Sequence, residues 1–280
     1  MAIIRTAADS PNLLTHLGTA LGSIADGDEL QVEKYSQDFT GGCNVSTKDL
    51  LRFRIGPGSS SRFISASGGA LTLVCNRTST GRFINQSSAD QVELVSSSTS
   101  GVIYNIENQP ANASGILRVN TCDANNIYQL AGRLYQQADA DFNVVNVHGG
   151  AFFSRNGSAA IGTLNNYVGT SDIERDVGTA NAYGGTIRPN HTAFTPGTIN
   201  LRGGTIKVLE TGNWGAGNLE HGVIDLTECK SLGASAGFLF AVASGSIGPG
   251  VIIRQLRGGL LFDYSALTSV AGGPRVEYVG

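Results

Sequence analysis

Charge is what this chain has least of. Asp, Glu, Lys and Arg make up 15% of its 280 residues, against about a quarter in an ordinary globular protein. A net charge of −3 and the absence of any Lys/Arg run leave no electrostatic footprint for nucleic acid. Lysine is nearly missing: Lys34, Lys48, Lys207 and Lys230 are the four among 19 basic residues. No stretch approaches the roughly 18 apolar residues of a membrane-spanning helix. The start, Met1-Ala2-Ile3-Ile4-Arg5-Thr6, lacks the basic residues and apolar run of a secretory signal, so synthesis and folding in a cytoplasm are expected. Cysteine is scarce and scattered. Cys43, Cys75, Cys122 and Cys229 form no C-x-x-C pair, which predicts buried free thiols; a disulfide would need coils that happen to stack two of them. With one Met and one Trp, the interior must be filled by Val, Ile, Leu, Ala and Phe.

Glycine is what the chain has in excess, 38 residues, about twice ordinary usage. It punctuates short β-type runs. Gly-Gly-Thr-Ile stands at residues 184–187 and again at 203–206, and Val223-Ile224-Asp225-Leu226 comes one period later. Earlier, Leu51-Arg52-Phe53-Arg54-Ile55 is echoed by Leu71-Thr72-Leu73, and Phe63-Ile64 by Phe83-Ile84, each about twenty residues on. Val92 to Val95, Val102 to Tyr104, Ile116 to Val119, Phe142 to Val147, Val251 to Ile253, Leu260 to Phe262 and Val276 to Val279 continue the series. Short strands recurring at that spacing are the signature of a solenoid whose apolar residues stack from coil to coil. Ile187, Ile206 and Ile224 are expected to lie one above another. Ile127, Leu130 and Leu134 fit either a helical turn or a strand pair. Between Ser154 and Ala182 the pattern weakens, and longer loops are expected there.

Residues 10–26 read as an amphipathic capping helix. Ser10 suits the N-cap and Pro11 the first helical position, while Leu13, Leu14, Leu17, Leu21 and Ile24 share a face. Gly27 suits a left-handed terminating residue. No linker divides residues 29–280. The expectation is an all-β, single-domain solenoid spanning 1–280, with coils over 29–280 numbering ten to twelve.

The helix, then Ala25-Asp26-Gly27-Asp28-Glu29-Leu30-Gln31-Val32 and the Tyr35-to-Gly42 turn, resemble the entry of right-handed parallel β-helix proteins of the pectin-lyase-like group. That resemblance implies a right-handed winding. The group includes polysaccharide lyases and hydrolases, bacterial surface proteins, and tail and capsid proteins of bacterial viruses. A chain poor in charge and rich in Ser, Thr, Asn and Gly looks most like the viral branch. The implied role is a non-enzymatic structural protein of a phage virion, a capsid-decorating or cementing subunit or a tail component. Its partners would be other virion proteins and copies of itself, as a homo-oligomer such as a trimer; a surface glycan is a further candidate. The alternative is a glycan-binding or glycan-cleaving tailspike or lyase, and an adhesin ranks third.

Glycan cleavage needs carboxylates presented together. The candidates are Asp172, Glu174 and Asp176, which alternate with Ile173 and Arg175; Asp139 with Asp141; Asp225 with Glu228; and Asp123. The first set could bind a cation or could be an exposed acidic loop, the commoner outcome. Arg202 and Lys207 are the nearest match to a lyase base. His16, His148, His191 and His221 show no metal-ligand spacing. Glu220 beside His221 lacks a nucleophile in recognisable context. Trp214, between Asn213 and Gly215, reads as an exposed loop aromatic for sugar or subunit contact, with plain packing the commoner role. Ser244, Ser246 and Ser96 to Ser98 read as corner residues. No catalytic, cofactor-binding or metal set is assigned.

Overall fold

Alternation along short strands decides which side chains enter the core. In Arg52–Ile55, Phe53 and Ile55 are fully buried while Arg52 and Arg54 keep contact with solvent, the period-two pattern of a sheet with one wet face. The structure is a computed structural model and describes residues 3–6, 24–32, 43–59, 71–75, 80–95, 102–137, 140–155, 160–190, 196–209, 214–229, 239–258, 261–270 and 272–280. Among these the fold is all-β, a parallel β-solenoid of about nine turns with no helix. The contacts divide the chain into two compact units, Met1–Asn143 and Val144–Gly280.

In the first unit two parallel walls alternate along the chain. One carries Ile3–Thr6, Glu29–Val32, Arg52–Ile55, Arg82–Asn85, Val102–Asn108 and Asp123–Gln129. Its inward column is Leu30, Phe53, Phe83, Ile106 and Ile127, each 0% exposed, with the two phenylalanine rings stacked at 6.1 Å. The other wall carries Cys43–Asp49, Leu71–Val74, Gln91–Val95, Ile116–Asn120 and Arg133–Gln137. Ile127 and Leu134, ambiguous in sequence, belong to strands of opposite walls.

The coil interval departs from the expected twenty. Phe83 lies on Phe53, and Leu71 pairs with Cys43 and Leu94 rather than joining a column with Leu51. A coil holds a strand on each wall, so a spacing of twenty here compares one wall with the other. Longer coils also explain why there are about nine turns instead of ten to twelve.

In the second unit the stacked isoleucines are as expected. Ile187, Ile206, Ile224, Ile253 and Val276 form one column across five successive strands. The stretch expected to loop, 154–182, instead supplies strands Ile161–Asn166, Thr170–Ile173 and Val177–Ala182. Its core positions include the small Ala180 and Ala182, which dilute the apolar signal. The strand Trp214–Asp225 serves both walls, through Ala216 to Leu219 on one and Val223 to Asp225 on the other, with a register shift between Leu219 and His221.

Residues 10–23 of the expected capping helix, and the Tyr35-to-Gly42 turn, lie outside the described residues. Ile24 and Ala25 are irregular and Asp26-Gly27 is a turn, so residues 24–26, expected to close the helix, are not helical. Gly27 has φ of 87°, the left-handed conformation its place demands. Among the described residues no helix is long and apolar enough to cross a membrane.

Candidate functional site

The most regular surface belongs to the second unit, where one strand and corner sequence recurs. Gly162-Thr163-Leu164-Asn165, Gly178-Thr179-Ala180-Asn181, Gly197-Thr198-Ile199-Asn200 and Gly215-Ala216-Gly217-Asn218 come into register on neighbouring strands. Leu164, Ala180 and Ile199 point inward. The asparagines point the other way and form a continuous amide ladder. Asn165, Asn181, Asn200 and Asn218 each donate Nδ2–H to Oδ1 of the previous rung, at 3.0, 2.8, 2.7 and 2.8 Å, the chain ending on Asn146. Thr163, Thr179 and Thr198 stand beside them in register. An amide bonded on both sides lies stretched along the wall, donating one N–H to the rung before and accepting one from the rung after.

The strand is followed by a corner at His148, Tyr167, Tyr183 and Arg202. The His148 and Tyr167 rings stack at 4.7 Å and 4°, and Tyr167 on Tyr183 at 4.9 Å and 7°. The Arg202 guanidinium lies over the Tyr183 ring at 5.9 Å and its Nε meets a Glu220 carboxylate oxygen at 3.3 Å. Glycines make this approach possible: a Cβ at Gly203 would stand 2.2 Å from the Tyr183 carbonyl oxygen. The ladder is a stack of ring faces capped by a cation. It was not foreseen, although Gly-Gly at 149–150, 184–185 and 203–204 with an aromatic or basic residue before each pair was the available signal. Gly-Thr-x-Asn was the other.

The acidic candidates are dispersed and tied. Asp172 shares a rung with Phe153 and Arg188, 3.8 Å from the Arg188 guanidinium. Glu174 pairs with Arg155 at 2.6 Å, and that guanidinium lies over the Phe153 ring at 5.2 Å. The strand ends at Ile173, so alternation does not carry on to Asp176, and Arg175 is buried with its Nε donating to the Arg155 carbonyl. Asp172 is 7% exposed, and its Oδ1, like the Arg188 Nε, is buried without a hydrogen-bond partner.

The remaining candidates do structural duties. Asp123 Oδ1 accepts from the Asp141 N–H at 2.9 Å; Asp139 lies outside the described residues. Asp225 Oδ1 accepts from the Thr227 N–H at 3.0 Å and from its hydroxyl at 2.7 Å, closing a turn, while Glu228 pairs with Lys207 at 2.6 Å. Asp225 and Glu228 therefore serve different partners. Glu220 pairs with Arg202, and exposed His221 stands in register with Gly250. Ser244 and Ser246 sit in the strand Leu239–Leu256, not at a corner. His16, His191 and Ser96 to Ser98 lie outside the described residues. Trp214 corrects the exposed-loop expectation: it is 1% exposed at the start of a strand, with Phe262 at 6.4 Å. Its ring is not available to a sugar.

Among the described residues no three of His, Cys, Asp and Glu gather as a metal site would require. What the second unit presents is a low-charge polar wall, an aromatic corner and a row of ion pairs. No protein-family model, no curated protein and no solved structure matches the chain.

Proposed function

We propose that this chain is a non-enzymatic structural protein of a bacteriophage particle, a capsid-decorating or cementing subunit or a tail component, acting as a rigid β-solenoid block among copies of itself and other particle proteins. The supporting observation is the wall of ladders from Asn146 to Asn218, whose amide groups are engaged with one another and whose threonines carry no charge. Such a wall stiffens the coils and offers a flat contact surface. The viral assignment comes from the resemblance in sequence pattern, and so does the choice of particle. The coils are proposed to wind right-handed, the sense of nearly all parallel crossover connections. Portal and terminase genes beside the coding sequence, with the protein recovered in purified particles, are the expected result; recovery only in secreted or surface fractions overturns the virion role.

One observation favours the glycan reading as a second. Asp172 Oδ1 and Arg188 Nε are buried without partners, on the same rung as the aromatic Phe153. Incubating the 280-residue protein with bacterial surface polysaccharides and measuring new reducing ends separates the two. The structural role predicts none. Turnover that Asp172→Asn or Glu174→Gln abolishes would reverse the ranking.

A further inference from the structure

Two phenol rings lie face to face at the corner of the second unit. Tyr167 and Tyr183 follow Asn166 and Ala182, which share a rung, and the Tyr183 N–H donates to the Asn166 carbonyl at 2.9 Å. Their ring centroids are 4.9 Å apart and the planes 7° from parallel. That separation matches the spacing of neighbouring strands, about 4.8 Å. The two side chains are therefore translated copies of each other, with their hydroxyls pointing the same way. Gly184 lets the coils meet here, since a Cβ in its place would stand 2.3 Å from the Tyr167 carbonyl oxygen.

The neighbours of this pair make it a pair and no more. The His148 ring covers the other face of Tyr167, and the Arg202 guanidinium lies over Tyr183, so each phenol has one phenol beside it. The ring carbon ortho to the hydroxyl, Cε, of one tyrosine faces its counterpart across the stack. Both side chains are 37% exposed, which leaves their outer edges open to an oxidant and free to tilt. On other strands Tyr128, Tyr135 and Tyr278 stand in register with Glu107, Arg118 and Gln255.

We propose that Tyr167 and Tyr183 are an oxidative cross-linking site, at which hydrogen peroxide acting through a peroxidase joins the two rings as dityrosine and staples consecutive coils. Each phenol gives up one electron and one proton, and the two phenoxyl radicals combine at Cε, forming one carbon–carbon bond. Each bonded carbon then loses its hydrogen as a proton while its own oxygen gains one, which restores both phenols. The two electrons and two protons released reduce one hydrogen peroxide to two waters. The new bond closes a short loop and restricts the unfolded chain as a disulfide does. This goes beyond the structural-block role by naming a covalent modification that hardens the block, and it stands independently of the virion assignment.

The test treats the dilute 280-residue protein with a peroxidase and hydrogen peroxide, then reads dityrosine fluorescence and the masses of cross-linked peptides. The expected product is a single chain in which the peptides of Tyr167 and Tyr183 are joined with the loss of two hydrogens, in excess over any other tyrosine pair. Tyr167→Phe and Tyr183→Phe are each expected to lose that signal. Trp214 fluorescence, from the buried sole tryptophan, shows before treatment that each variant is folded. After treatment its guanidinium midpoint is expected to rise in the wild-type protein and to stay in place in both variants. Oxidation that leaves Tyr167 and Tyr183 unjoined, cross-links spread evenly over other tyrosines or formed only between chains, or a joined product with an unmoved midpoint would each overturn the proposal.

Discussion

Two glycines with the same backbone sign separate strain from crowding. Gly204 has φ of +67° and a Cβ there would stand 2.6 Å from the Gly184 backbone, whereas Gly258 has φ of +75° and open space around it. Gly258→Ala is expected to cost about 1 kcal/mol, the left-handed penalty alone. Gly204→Ala adds a clash with backbone of the preceding coil and should cost at least about 2–4 kcal/mol; guanidinium midpoints read the difference. The thiols make a second residue-scale prediction. Burial, above all, pushes the Cys122 thiol from 9.0 up to about 12 and raises Cys75 as well, with Asp49 adding to the latter. Iodoacetamide at pH 8 should therefore leave both unmodified in the folded protein and label both in guanidinium, as peptide masses report. A folded-state pKa raised above the unfolded one stabilises fully below about 9, and for Cys122 that contribution is lost as pH climbs to about 12. The buried free thiols at Cys75 and Cys122 were legible from scattered spacing alone, whereas Cys229 is free but only half-buried. The packing role weighed as the commoner one for Trp214 holds. Its placement in an exposed loop was wrong because Gly212 and Gly215 around it resemble a turn, while its burial comes from the long strand that opens with it.

The amide ladder is the element whose energetics can be dissected rung by rung. Asn181 accepts from Asn200 and donates to Asn165, while Asn218 is the exposed final donor. Asn181→Ala removes two hydrogen bonds and strands its neighbours' groups, so about 1–2 kcal/mol should be lost. Asn218→Ala breaks one bond beside solvent, and about 0.5 kcal/mol is expected. Thermal unfolding of the two variants, with Asn181/Asn200 as a double-mutant cycle, checks the order; equal losses would mean the amides do not act as a chain. The sequence contained this element in plain form, Gly-Thr-x-Asn at 162, 178 and 197. A fixed period of twenty hid it, because rungs of the ladder are 16, 19 and 18 residues apart. Strands with Ile or Phe inward were recognisable in the regular repeats, but Ile161–Asn166 and Thr170–Ile173 were lost among glycines despite inward Ile161 and Ile173, and Val177–Ala182 where Ala180 and Ala182 fill the core. The ion pairs were not legible at all: Glu174 finds Arg155 and Asp172 finds Arg188 only once the coil length between them is known.

At the scale of the whole chain, the winding predicts how damage spreads. In a solenoid each coil is stabilised by its immediate neighbours, so unfolding is a sum of local terms and nearest-neighbour contacts. Ile206 packs in register between Ile187 and Ile224, and Phe53 between Leu30 and Phe83; they share no partner. Truncating either to Ala leaves a cavity worth about 2–5 kcal/mol, yet the two should be seen differently. The sole tryptophan lies in the strand Trp214–Asp225, which also holds Ile224, so its fluorescence reports the neighbourhood of Ile206. Ile206→Ala should lower the guanidinium midpoint of Trp214 fluorescence by the full cavity cost. Phe53→Ala should move that midpoint less, while shifting the far-ultraviolet circular dichroism that both units contribute. Identical fluorescence shifts from the two variants would show that stability is shared along the entire chain, and nearest-neighbour coupling would then be the wrong account of this fold.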